Sequence, residues 1–260
     1  PPLRERRIVE LAPGATQALL AEPGDVRPGS YSASVALAAD PALVRLVAGL
    51  NALAEYPFGC TEQVMALSSA ELALKPYAPV LAAAGLQDRI SADVQKTIQS
   101  IIRTTDEDGL VGFWPKSRGS VLLTAASYSF LVQAEQAGET VDPALKDRLA
   151  QVLKQALRSD YSRFLTGEDI RERVAGLSAL AAGGGTDPAY LAELSRRASL
   201  LPLESLAQIT AVVAAAPDTD PARVAGLLDQ VKANVRLLSR DGQPVYAGLQ
   251  DRPADPMVLP

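Results

Sequence analysis

The sequence has no histidine and a single cysteine, Cys60. Ser-His-Asp and Cys-His arrangements are thereby excluded, as is an intrachain disulfide or a zinc site of the usual ligand types. No metal and no cofactor is called for. Aromatic residues make up only 5% of the chain, and alanine and leucine dominate the apolar set, a balance that favours helices over strands. No apolar run reaches the roughly 20 residues that cross a bilayer, and no charged-then-apolar leader opens the chain, so membrane insertion by this stretch is not expected. The net charge of −5 is spread out, with no basic stripe suited to nucleic acid. Pro1-Pro2-Leu3-Arg4 at one end and Asp255-Pro256-Met257-Val258-Leu259-Pro260 at the other read as cuts within a longer polypeptide.

What is present divides at about residue 38. Before it, Arg7–Leu11 and the alternating Tyr31–Leu37 read as short strands, with turns at Pro13-Gly14 and Pro28-Gly29. Two such strands bury no core of their own and are expected to belong to a β domain. After it the pattern is helical. Asp-Pro recurs at Asp40-Pro41, Asp142-Pro143, Asp187-Pro188 and Asp220-Pro221, each time before an apolar-periodic run. Aspartate accepts from the free amides of a first helical turn, and proline at the next position needs no donor.

Helices are predicted over about 41–54, 60–83, 91–103, 120–136, 143–158, 168–183, 188–200, 202–215 and 221–238. Val224, Leu227, Leu228, Val231 and Val235 form the stripe of the last one. Short connections predict antiparallel hairpins stacked as an open solenoid or a closed ring. The segment from Thr105 to Pro115 breaks the rhythm: it is acidic, then glycine-punctuated, then aromatic, with the only tryptophan, Trp114. It reads either as a loop with a surface-packed Trp or as aromatic cover for a nearby site. Asp106-Glu107-Asp108 reads as a solvated turn, and Arg171-Glu172-Arg173 and Arg196-Arg197 as solvated faces.

One segment carries chemistry: Glu55-Tyr56-Pro57-Phe58-Gly59-Cys60-Thr61-Glu62-Gln63-Val64-Met65. Pro57 and Gly59 mark a turn, and a helix restarts behind it, placing Cys60 at the helix start and Gln63 on the same face three residues on. A cysteine there is ordinarily a small buried hydrophobe. In contact with Gln63, however, its sulfur can attack the side-chain amide carbon and expel ammonia, leaving a thioester across one turn. Such an acyl group is open to water and amines, so it needs apolar cover, for which Tyr56, Phe58 and Trp114 are the candidates. Glu62 either bonds first-turn amides or complements the helix dipole.

These residues closely resemble the thioester signature of the alpha-2-macroglobulin and complement family, Y-P-[YF]-G-C-x-E-Q-x-M, with Tyr56, Pro57, Phe58, Gly59, Glu62 and Met65 around Cys60 and Gln63. Pro28-Gly29-Ser30 and its strand are similar to the family's lead-in, where a CUB-like domain is interrupted by the thioester domain. Asp108–Pro115 is similar to its D-G-G-F-G-x-W loop, altered at Leu110-Val111. Thr61 departs from the glycine usual in animal members.

The resemblance implies a mainly α chain: an α/α toroid of helical hairpins over 39–260, complete or not, after CUB-like strands over 1–38. It implies a thioester domain of a bacterial alpha-2-macroglobulin, a broad-spectrum endopeptidase inhibitor that evades host defence from the periplasm, anchored to the inner membrane through other parts. Its partners would be proteases, joined through lysine amines, and the remaining domains of the same protein. The acylation is single-use, so the chain is not expected to be an enzyme. Complement-type members pass the acyl group through a histidine, and this sequence has none, which points to direct attack by amines. Two alternatives stand beside this: a surface-attachment or opsonin-like thioester protein, and a helical toroid scaffold or enzyme with a plain thiol.

Overall fold

The computed structural model describes residues 59–77, 86–158, 169–217, 219–240 and 243–249, with Val9, 11–16, Arg27, Gly29, Ser30 and Leu37 ahead of them. The predicted N-terminal strands (apart from single residues), the helix predicted over 41–54, and Tyr56, Pro57 and Phe58 lie outside this set. So does the domain boundary predicted at 38/39. The chain divides into two compact units, Pro1–Val44 and Arg45–Pro260. In the first, the amides of Ala15 and Ser30 donate to the carbonyls of Ala12 and Arg27 at 2.9 and 3.0 Å. Gly14 and Gly29 sit there at φ +79° and +77°. At Pro13-Gly14 that is the geometry of a type II turn.

The second unit is mainly helical. Its described helices are α1 (Thr61–Leu74), α2 (Leu86–Thr104), α3 (Val121–Gln136), α4 (Pro143–Leu157), α5 (Asp169–Ala182), α6 (Pro188–Arg196), α7 (Leu203–Ala215) and α8 (Pro221–Ala233). A hairpin follows, β1 (Val235–Arg240) and β2 (Gln243–Leu249). Three of the Asp-Pro starts are described, and all three work as their chemistry requires. Asp142, Asp187 and Asp220 accept from the amides of Ala144, Ala189 and Ala222 at 2.9, 2.8 and 2.9 Å. The proline that follows each opens the helix.

The helices stack as hairpins. α1, α3, α5 and α7 pack on one another in chain order, and α2, α4, α6 and α8 each pack against the helix before them. Helices in the row meet neighbours on several sides and are apolar around much of their circumference. α3 buries Val121, Leu123, Ala125, Tyr128, Phe130, Leu131 and Val132. The flanking α4 instead buries one stripe, including Leu145, Leu149, Val152 and Ala156. Arg171-Glu172-Arg173 on α5 is therefore not a solvated face: Glu172 is fully buried, because α5 is packed by α3, α4 and α7 at once. Arg196 and Arg197 are exposed, as expected.

The helix predicted to run to residue 238 stops at Ala233. Val235, read as part of its stripe, begins β1, which pairs antiparallel with β2 from Val235↔Leu249 to Arg240↔Gln243. Two signals favour the strand: β-branched Val235 at its head, and Asp241-Gly242 between the strands, a dipeptide suited to tight hairpin turns.

An ion pair fastens the helix ends. Lys75 Nζ donates to Glu139 Oε1 at 2.6 Å and to Ala137 O at 2.8 Å, and Ser91 Oγ donates to the same carboxylate at 2.7 Å. Burial works against ionisation of Glu139, but the Lys75 ammonium and the Ser91 hydroxyl outweigh it and hold the carboxyl below its ordinary range. A lowered carboxyl stabilises the fold at pH above the ordinary carboxylate titration, and that contribution is lost as pH falls through the lowered value. Lys75→Met is expected to lower the unfolding free energy by about 1–3 kcal/mol at neutral pH. Urea denaturation repeated at progressively lower pH should show the gap from wild type closing.

Candidate functional site

Cys60 stands at the N-cap of α1, with extended backbone (φ −68°, ψ 159°). It is 7% exposed. Its amide N–H donates to Gln63 Oε1 at 3.3 Å, while the backbone N–H of Gln63 is directed back at the sulfur, closing a capping box. In the usual box a serine or threonine oxygen occupies the N-cap and Glu or Gln the third helical position. Here sulfur replaces that oxygen. The fold thus has its own reason to bring the Gln63 carboxamide across one turn to Cys60. The hydrogen bond to Oε1 also draws electron density from the amide carbon and makes it a better electrophile.

The other motif residues divide. Met65 is buried and accepts from Ser127 Oγ at 3.3 Å, so it joins α1 to α3. Glu62 lies in the first turn with its side chain exposed, complementing the positive end of α1. Gly59 is exposed, and a Cβ there would meet only Val64 Cγ1, at 4.0 Å. Nothing in its described surroundings demands glycine.

Thr61 matters more than the sequence indicated. It is 1% exposed. Its hydroxyl lies 2.8 Å from Gly112 O, 3.1 Å from Phe113 O and 3.1 Å from Thr104 Oγ1, and its amide donates to Phe113 O at 3.1 Å. Thr104 ends α2, and Gly112 and Phe113 belong to the glycine-punctuated loop between α2 and α3. One residue therefore joins three segments beside Cys60. The sequence offered only its departure from the family pattern as a signal.

That loop is built around Asp106. Its Oδ1 accepts from the amides of Asp108 and Leu110 at 3.0 Å each, and its Oδ2 from the amide of Gly119 at 2.8 Å. Glu107 and Asp108 are exposed, as a solvated turn requires, but the reading of 106–108 fails for Asp106, whose carboxylate closes the loop on itself. A Cβ on Gly119 would lie 2.5 Å from Leu110 C and O, so only glycine fits there. The loop presents Phe113 and Trp114, 44% and 50% exposed, at its tip. Of the three aromatic residues expected to cover the site, Trp114 is the one described.

A groove of about 450 Å³ runs between α1 and α2 from Gly59 past Val64 and Leu67 to Glu71. Burial, then the nearby Asp93, pushes the Glu71 carboxyl above its ordinary range, against Arg89 and Lys96. Among the described residues there is no group of three metal-ligating side chains, and no helix long and apolar enough to cross a membrane.

No protein-family profile and no curated protein sequence matches the chain. Solved structures do. Native Escherichia coli alpha-2-macroglobulin, from domain MG7 to the C-terminus, superposes with a TM-score of 0.62 at 18% identity over 72% of this chain and 30% of that one. Salmonella alpha-2-macroglobulin reacted with methylamine gives 0.63 at 19% identity, over 76% of this chain and 13% of that one. The activated E. coli protein, treated with trypsin, gives 0.55 at 17% identity over 68% of this chain and 13% of that one. The chain thus spans less than a third of the length of each. At these identities it is the fold that is shared: residues of this chain are folded like part of the bacterial alpha-2-macroglobulins.

Proposed function

We propose that this chain is the thioester domain of a bacterial alpha-2-macroglobulin-like, broad-spectrum protease inhibitor. The observation that carries it is the Cys60–Gln63 contact: the amide of Cys60 holds Gln63 Oε1 at 3.3 Å at the head of a part-buried turn. The sulfur adds to the Gln63 amide carbon, ammonia leaves with the thiol proton, and a thioester remains. An amine then attacks the same carbon. The oxyanion that forms is held by the Cys60 N–H, an amide bond to Gln63 results, and Cys60 leaves as a thiol. Each molecule acts once and is not an enzyme.

Three things support the reading: the signature around Cys60, the fold shared with bacterial alpha-2-macroglobulins, and the activation of one of those by trypsin. On this reading the alternating row of α1, α3, α5 and α7, flanked by the other helices, would be part of an α/α toroid. The incoming amine would be a protease lysine, with Trp114, Tyr56 and Phe58 shielding the acyl group before release. The setting would be the periplasm, with anchoring supplied by other parts of the protein.

One observation favours a second reading. The capping box by itself satisfies the helix start, so the same contact serves a scaffold with a plain thiol. Intact mass and thiol titration separate the two. A bonded protein is lighter than its sequence by one ammonia, shows no sulfhydryl, and gains one methylamine as a sulfhydryl appears. Full sequence mass with an immediately titratable thiol would leave only the scaffold.

A further inference from the structure

We propose that Thr61 is the positioning residue that governs how long the sulfur–acyl bond lasts, by latching the α2–α3 loop onto the turn that carries it. This rests on the thioester reading. Cys60 and Thr61 are buried between exposed Gly59 and exposed Glu62, so what is held against this turn contributes to their cover. Among the described residues, the backbone fastened there is Gly112-Phe113, and both of its carbonyls are held by Thr61. One hydroxyl proton satisfies one acceptor. The shortest contact, 2.8 Å to Gly112 O, takes it, while the Thr61 amide serves Phe113 O.

Gly112 is gripped from its other side as well, its amide donating to Thr104 O at 2.9 Å. A Cβ on Gly112 would meet Ser117 O at 2.9 Å, so the loop is folded tightly on itself at this point. It is held or lifted as a unit. Deleting the hydroxyl strands a buried carbonyl that water can satisfy only by separating the loop from the turn. The lifted state gives water freer access to Gln63 Cδ, which is only part-buried when the loop is seated.

The test compares wild type, Thr61→Val, which keeps the shape without the donor, and Thr61→Ser, which keeps the donor, all in the intact protein. Sulfhydryl release in amine-free buffer is followed well below the lowest of the three unfolding midpoints. Release about tenfold faster in Thr61→Val, with Thr61→Ser within about twofold of wild type, is the expected result. Equal rates in wild type and Thr61→Val, or a serine variant as fast as the valine one, would overturn the proposal.

A second pair isolates this from the thioester reading. In Gln63→Ala, which cannot form the bond, adding Thr61→Val should speed iodoacetamide labelling of Cys60 about tenfold; unchanged labelling overturns the latch whether or not a thioester exists. Should the valine variants fail to fold, hydrogen exchange in Gln63→Ala decides. The Thr61 amide and Cys60 labelling should then report one opening constant, and labelling through a much more frequent opening than the amide's would refute the latch. A wild type that never carries the bond defeats the proposed function alone.

Discussion

Cys60→Ala is expected to reduce methylamine incorporation below detection and to leave the fold in place. Cysteine is a poor N-cap, so alanine costs at most about 1 kcal/mol at the head of α1. The chemical loss is total because the sequence holds no second sulfur nucleophile beside Gln63. Gln63→Glu sharpens the comparison. Its carboxylate still accepts from the Cys60 N–H and completes the same capping box, so stability should match or slightly exceed wild type. Yet an ionised carboxylate is a very weak acyl donor, and ammonia is no longer available to leave. Mass spectrometry after methylamine, alongside urea denaturation, should therefore show both variants folded and neither labelled. Labelling of Gln63→Glu at the wild-type rate would remove Gln63 from the chemistry.

Asp106→Ala is expected to lower the unfolding free energy by about 2–4 kcal/mol, the larger effect on stability. One carboxylate accepts from three backbone amides, and after truncation those of Leu110 and Gly119, both buried residues, lose their acceptor. Hydrogen exchange at Leu110 and Gly119 should accelerate far more than in the middle of α3. Asp106→Asn, which retains an acceptor oxygen without the charge, should fall between. A variant with wild-type stability and unchanged exchange at Gly119 would mean the loop is held chiefly from outside, through Thr61 and through Thr124, whose hydroxyl accepts from the amide of Val111 at 2.9 Å.

The sequence made the helices legible because their starts are local chemistry. Asp142, Asp187 and Asp220 each cap within three residues of themselves, so the signal survives without knowledge of the fold. The hairpin after α8 was hidden for the opposite reason: Val231 and Val235 continue a helical spacing while Asn234 and Asp241-Gly242 end it, and periodicity outvoted the breakers. Glu172 and Asp106 were misjudged alike. A charged side chain looks solvated in sequence, and only the packing around α5 and the closure of the α2–α3 loop decide otherwise. The cysteine–glutamine pair was visible because it spans one turn, whereas Thr61 depends on carbonyls more than fifty positions away.

If the proposed thioester forms, the capping box also has a consequence for a molecule that has already reacted. Opening by water leaves glutamate at position 63, and opening by an amine leaves a substituted, uncharged glutamine. The hydrolysed form therefore gains one negative charge at the positive end of a helix dipole, where it adds roughly 0.3–1 kcal/mol of stability. Wasted and productive discharge would thus be written permanently into the isoelectric point, and focusing a used sample would count how many shots had missed.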